Sequence, residues 1–214
     1  MQITKVEKQA KRRSSERYNV YADGKFLTAL DAGVLAESNV REGEIITKSE
    51  LAQLLERDRF AKALAKAYSL LARRPHASLE LRRKLRERKY PASLVDGVVE
   101  HLQRLGYLDD AAFAREWVRQ RGATRGPRLL RAELRQRGVG TEAIEAALAE
   151  LAGSPESADQ TEAIRALAEK RLQRFRNEPP DKAREKTIAF LQRRGYGYAE
   201  AKRAIDESGA GGVR

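Results

Sequence analysis

The chain has no cysteine, which excludes disulfide cross-links, a thiolate nucleophile and cysteine-ligated zinc, and permits a reducing compartment. Imidazole is nearly as scarce: His76 and His101 are the only two, and neither has a companion ligand at metal spacing. No run of about 18 apolar residues could span a membrane, and the start MQITKVEKQAKRRSS lacks the apolar stretch of a secretory signal, so the expected address is the cytoplasm, with no membrane partner. Phosphate-loop, nucleophile-elbow and dinucleotide-binding patterns are missing as well. The residues therefore point away from an enzyme and call for no cofactor or metal.

Basic residues are what the chain has in excess. Forty-three Lys and Arg stand against 31 Asp and Glu, leaving +12 over 214 residues, a balance that favours polyanions through steering and counterion release. The excess is local. Segments 73–90, 115–137 and 165–194 hold eight, eight and ten basic residues against two, two and four acidic ones, so each carries +6 and the remainder is −6.

Residues 1–58 read as a small α+β segment. RYNVYA (17–22) and KFLTAL (25–30) flank Asp23-Gly24, a pair suited to a type I′ turn, which predicts a β-hairpin. The alternation in ITKVEK (3–8) predicts a third strand. Short helices are expected over 31–37 and 49–56, the second capped by Ser49 or Thr47.

Beyond residue 58 the texture is helical, and the chain aligns with itself. LRERKYPASLVDGVV from Leu85, LRQRGVGTEAIEAAL from Leu134 and LQRRGYGYAEAKRAI from Leu191 match without a gap, at offsets of 49 and 57 residues. Each reads as helix, tight turn, helix. The turns Lys89-Tyr90-Pro91, Gly138-Val139-Gly140 and Gly195-Tyr196-Gly197 suit a left-handed cap followed by an apolar residue that folds back on the preceding helix. A further amphipathic helix precedes each pair, over 63–73, 111–121 and 162–174, with breaks at Pro75, Pro127 and Pro179-Pro180. The expected fold is mostly α: three tandem three-helix repeats (59–108, 109–153, 154–208) forming an elongated curved rod, after an N-terminal domain (1–58) and before a tail (209–214). GSPESADQT (153–161) reads as a polar linker and hinge.

Asp109 and Asp110, the nearest approach to a catalytic carboxylate pair, sit where a helix starts and are read as an N-cap and first-turn acid. Trp117, Phe113, Tyr107 and Tyr90 fall at core spacing, which favours packing over base stacking. Arg128, Arg131 and Arg135 share a helix face opposite Leu130 and Leu134, and Arg82 and Arg86 do the same around Leu81 and Leu85. Arginine suits bidentate pairing with carboxylate or phosphate, and its recurrence in equivalent places suggests one repeated contact.

LARRPHASLELRRKL, LGYLDDAAFAREWVRQR, GPRLLRAELRQRGV and LQRRGYGYAEAKRAI, in this order and at these distances, resemble the RecX family of RecA modulators. The resemblance covers residues 68–207, with the stretch from Gly106 to Ala114 its most specific part, and extends more weakly over residues 1–58. It implies a small, monomeric, non-enzymatic cytoplasmic protein that binds RecA–DNA filaments and restrains ATP hydrolysis, strand exchange and the co-protease activity of the SOS response, some members touching single- or double-stranded DNA directly. The residues carried over as the binding surface are Arg82, Arg86, Arg128, Arg131, Arg135, Arg193 and Arg194. A general DNA- or RNA-binding protein with helix-turn-helix-like elements is the alternative that the paired helices leave open.

Overall fold

The computed structural model describes residues 1–9 and 16–208, without the side chains of Glu156 and Asp159. Asp23 and Gly24 both take positive φ, 49° and 75°, and close the hairpin between β2 (Arg17–Ala22) and β3 (Lys25–Asp31). β1 (Ile3–Lys8) pairs antiparallel with the other edge of β2, Val6 opposite Val20, so the sheet runs β1-β2-β3. Ile3, Val20, Ala22 and Leu30 of the sheet bury themselves against Val34, Val40, Ile46 and Leu54. Asp31 caps α1 (Ala32–Ala36) by accepting the Gly33 N–H.

Thr47 and Glu50 then form a reciprocal capping box that starts α2 (Lys48–Leu71). The sequence leads one to expect two helices here, over 49–56 and 63–73, but the structure has one of 24 residues, and the expected boundary at 58–59 lies inside it. Neither glycine nor proline occurs between Lys48 and Leu71, so no backbone feature halts propagation. Asp58, near the middle, is buried beneath the sheet, where it accepts from Arg17 at 3.0 and 3.1 Å and from the Asp31 N–H at 2.8 Å.

The rest of the chain alternates helices and short turns: α3 (Ser78–Arg86), α4 (Ala92–Arg104), α5 (Asp110–Arg121), α6 (Pro127–Gln136), α7 (Thr141–Gly153), α8 (Glu156–Arg174), α9 (Pro180–Arg193) and α10 (Tyr198–Glu207). Pro127 and Pro180 open their helices, where a missing N–H costs nothing. Lys89, Gly138 and Gly195 occupy the left-handed region that ends the second helix of each repeat. After Gly138 and Gly195 the Val139 and Tyr196 N–H groups reach back to the carbonyls of Leu134 and Leu191, at 3.1 and 3.2 Å, and both side chains are buried. The linker expected over 153–161 is instead mostly the first turns of α8, and only Ser154 and Pro155 separate α7 from α8. Pro155 has a helical φ of −54° and no glycine or proline follows until Pro179, so the polar composition does not prevent a helix.

Two compact units result, Met1–Arg74 with Leu81–Leu105, and Pro75–Glu80 with Gly106–Arg214. The first holds the sheet core and, on α4, the buried Val95, Val98, Val99 and Leu102. The second holds two cores, one built from Phe113, Val118, Leu130, Leu134 and Ile144, the other from Ile164, Ala168, Leu191, Tyr196 and Ile205.

Candidate partner interface

The arginines that the sequence offers as one surface divide according to what holds them. Arg82 on α3 donates from Nε to Asp96 on α4 at 3.0 Å, and Arg131 on α6 makes a two-pronged contact with Glu145 on α7 at 2.7 and 2.8 Å. Arg131 and Glu145 lie 49 residues after Arg82 and Asp96, so two repeats use the same tie between their second and third helices. The hydrogen bond from Arg131 holds the Glu145 carboxyl below its ordinary range and raises the Arg131 guanidinium in turn. Arg86 stands further from Asp96, at 3.8 Å, and is 52% exposed. Ties this open to water contribute little stability, but they occupy guanidinium groups.

Arg194 is engaged differently. Its Nη1 donates to the Thr124 carbonyl at 3.3 Å, and its guanidinium lies over Phe190, 5.1 Å from the ring centroid. Around it the turn after α9 docks on the start of α6, because the Gly126 N–H donates to the Arg194 carbonyl at 2.8 Å and the Arg128 N–H to the Gly195 carbonyl at 3.1 Å. Arg137, 57 residues earlier, repeats the device: it reaches Glu80 on α3 at 3.4 Å while Gly138 sits against Leu79. Part of the positive charge concentrated in the second and third repeats therefore serves to join the second helix of each to the head of that helix's counterpart in the preceding repeat.

Arg128, Arg135 and Arg193 remain. All three are exposed, and among the described residues no ion pair or side-chain hydrogen bond holds them. Arg128 and Arg135 stand on α6 opposite Leu130 and Leu134, which are 1% and 0% exposed, as the helical spacing requires.

Other expectations resolve as follows. Asp109 caps α5, accepting the Ala112 N–H at 2.9 Å, and Asp110 accepts the Ser78 N–H at 2.8 Å, so both acids serve helix starts. His76 is buried, and His101 meets Phe60 edge to face. Tyr107, read as a core residue, is 58% exposed because it follows Gly106, whose φ of +74° turns the chain out of α4. Phe113 and Trp117 do pack together, with centroids 5.6 Å apart.

One cluster escaped the sequence reading. Trp117 is flanked by two guanidinium groups, Arg121 at 3.4 Å and Arg137 at 3.9 Å from its ring centroid, and its Nε1 donates to Glu133 at 3.0 Å. Arg125 pairs with the same Glu133. With Gln136 these residues line a cleft of about 240 Å³ in the second unit. Burial, and next the neighbouring Arg125, push the Arg121 guanidinium below its ordinary value. The local signals were Trp117 and Arg121 at i, i+4 and Glu133 and Arg137 at i, i+4; nothing local said that the two pairs face each other.

Family models for RecX match the chain in four consecutive blocks: the N-terminal domain over residues 1–47, and the first, second and third three-helix domains over 63–102, 109–148 and 158–205. A regulatory protein RecX of Limosilactobacillus reuteri is 30% identical over 207 residues, covering 96% of this chain and 76% of its own. The chain belongs to the RecX family. Its similarity to the regulatory protein RecX of Clostridium acetobutylicum is 25% identity over 96% of this chain and 95% of that one. A crystal structure of regulatory protein RecX superposes with a TM-score of 0.78 at 29% identity over 96% of this chain and 98% of the other. RecX from Lactobacillus salivarius, at 23% identity and a TM-score of 0.64 over 71% of this chain, shares the fold. The role shared across the RecX family is regulatory. No helix among the described residues is long and apolar enough to cross a membrane.

Proposed function

We propose that the chain binds RecA filaments formed on single-stranded DNA and restrains their ATP hydrolysis, strand exchange and co-protease activity, as a non-enzymatic cytoplasmic monomer. Family membership over nearly the whole chain supports this reading, since both the N-terminal domain and all three helical domains are matched. The observation that carries its physical side is the set of exposed, unpaired guanidinium groups of Arg128, Arg135 and Arg193. Arginines already free of carboxylates need not break a bond before meeting a filament, and several weak contacts add through multivalency. Arg131, tied to Glu145, and Arg194, tied to the Thr124 carbonyl, act as the frame that holds these groups in place.

The test is co-sedimentation with RecA–single-stranded DNA filaments, together with the filament's ATPase rate. The natural chain pellets with filaments and slows ATP hydrolysis, whereas Arg128→Glu, Arg135→Glu and Arg193→Glu combined leave it in the supernatant. Unchanged pelleting and inhibition by the triple variant would remove these arginines from the mechanism. Failure of the natural chain to pellet would remove the function itself.

A further inference from the structure

The N-terminal part of the chain differs from the rest in charge and in how its sheet ends. Residues 1–58 hold ten basic and ten acidic residues, so the whole excess of +12 lies beyond them. β1 is not left bare, because residues 43–46 lie along its outer edge. The Ile3 N–H donates to the Glu44 carbonyl at 2.8 Å, the Ile46 N–H donates to the Met1 carbonyl at 2.9 Å, and Gln2 bridges to Ile45 between them. Backbone groups of an extended chain alternate in direction, so with Glu44 and Ile46 engaged on β1, those of Ile45 are turned away from it. Among the described residues the Ile45 N–H and carbonyl make no hydrogen bond. Its side chain is 76% exposed, more than that of any other large apolar residue described. Beside this open edge lies a pocket of about 210 Å³, floored by Ile3, Val40, Ile46 and Leu54, with Ile45 in its wall. Glu37, Glu44 and Glu50 stand around it against Arg57 alone. Thr47 engages Glu50, but Glu37 and Glu44 are exposed, and among the described residues no ion pair or side-chain hydrogen bond holds them.

We propose that this pocket docks an extended, cationic segment of a partner protein, which pairs its backbone with Ile45, sets one aliphatic side chain into the pocket and places a lysine or arginine against Glu37 and Glu44. Each part of the occupant answers one observation. An open strand edge is completed by another strand, and alternate side chains of that strand fall on one side, so the aliphatic and basic residues stand two positions apart. The volume lies below the roughly 300 Å³ at which small-molecule sites begin, and it suits a single side chain. Two free carboxylates beside an apolar floor select a basic neighbour over an acidic one. A lone exposed isoleucine would need no explanation, but here it coincides with unspent backbone groups, a pocket and unmatched charge. The proposal does not rest on the filament reading, since the pocket shares no residue with Arg128, Arg135 and Arg193.

Fluorescence anisotropy with the full chain and a fluorescein-labelled peptide of sequence RTITR tests this. Non-specific attraction to a chain of +12 favours an acidic peptide, so a preference for RTITR over ETITE reports the local site. RTSTR, which lacks the aliphatic anchor, binds about tenfold more weakly than RTITR. RTITR methylated at its three central amide nitrogens loses the backbone pairing and binds more weakly too, with the protein itself unchanged. Glu37→Gln with Glu44→Gln weakens binding about fivefold, the worth of two exposed ion pairs. Neither side chain holds any part of the fold, so this variant stays folded. Hydrogen exchange at the Ile45 amide slows when RTITR is bound. The proposal is overturned if RTITR does not bind, if ETITE binds as tightly, or if the double variant binds RTITR as the natural chain does. Equal binding of RTSTR or of the methylated peptide, or unchanged exchange at Ile45, would reduce the site to an acidic surface and overturn it as well.

Discussion

Gly195 stands so close to Leu129 that a methyl group on it would lie 2.4 Å from the Leu129 Cβ, and its φ of +90° is itself unfavourable to any side chain. Gly138 has the same relationship to Leu79, at 2.3 Å and φ +81°. Gly195→Ala and Gly138→Ala should each cost about 2–4 kcal/mol, the sum of left-handed strain and overpacking. Gly140→Ala is the comparison, because Gly140 has φ −64° and open space around it, and a cost of about half a kcal/mol is expected there. Urea melts of the three variants check the ranking; equal midpoints would show that the close approach does not constrain the fold.

Arg17 and Asp58 are 6% and 3% exposed in their side chains, and they tie the sheet to α2. Arg17→Met strips the carboxylate of its principal partner, leaving Lys62 at 2.7 Å, and should destabilise by about 3 kcal/mol. Replacing both residues together, Arg17→Met with Asp58→Leu, should recover much of that loss. A double-mutant cycle in denaturant measures the coupling; additive losses would mean that the pair does not act as one.

Burial opposes ionisation of Asp58, but the hydrogen bonds from Arg17, Lys62 and the Asp31 N–H outweigh it, and the carboxyl is held below its ordinary range. A lowered carboxyl stabilises the fold in full above the ordinary aspartate pKa of about 4, and that contribution disappears as pH falls through the lowered native value. Asp58→Asn should therefore flatten the loss of stability in acid. Denaturant midpoints followed from neutral pH downward provide the comparison, and parallel curves for the two proteins would refute the assignment.

At the other end of the scale, burial pushes Tyr196 up to about 12, and its hydroxyl has no hydrogen-bond partner. Because the phenol ionises more readily in the unfolded chain, its contribution is complete below the ordinary tyrosine value of about 10 and is lost between there and about 12. Tyr196→Phe should be at least as stable at neutral pH and should remove part of the alkaline decline. Thermal melts across that window are the check; an unchanged alkaline slope would place the titrating group elsewhere.

Arg131→Gln removes a tie between partly exposed groups and should cost about 0.2–1 kcal/mol while leaving filament binding intact. Paired with the variants of Arg128 and Arg135 in the same pelleting assay, it separates the frame from the contact surface. A loss equal to theirs would return Arg131 to the binding face.

Much of this architecture could be read locally. The hairpin followed from Asp23-Gly24, the buried turn residues from Gly138-Val139 and Gly195-Tyr196, and the α5 cap from Asp109, since φ preference, helical period and capping are properties of neighbours in the chain. Where local signals were only compositional they misled: the polar stretch after Gly153 entered α8, and the helices on either side of Asp58 ran together.

Charge was visible in amount but not in use. Arg131 and Arg135 are four residues apart on one helix face, yet one is hydrogen-bonded to Glu145 and the other, among the described residues, makes no ion pair or side-chain hydrogen bond; Arg17 finds Asp58 41 residues away, and Arg137 finds Glu80 57 residues away. The order of residues determined which segments are strands, helices and turns, and that basic groups recur. Packing alone decided which guanidinium groups are neutralised and which remain to meet a partner, because an ion pair depends on separation in space, and segments distant in the chain are brought to that separation only when their apolar faces have closed on each other.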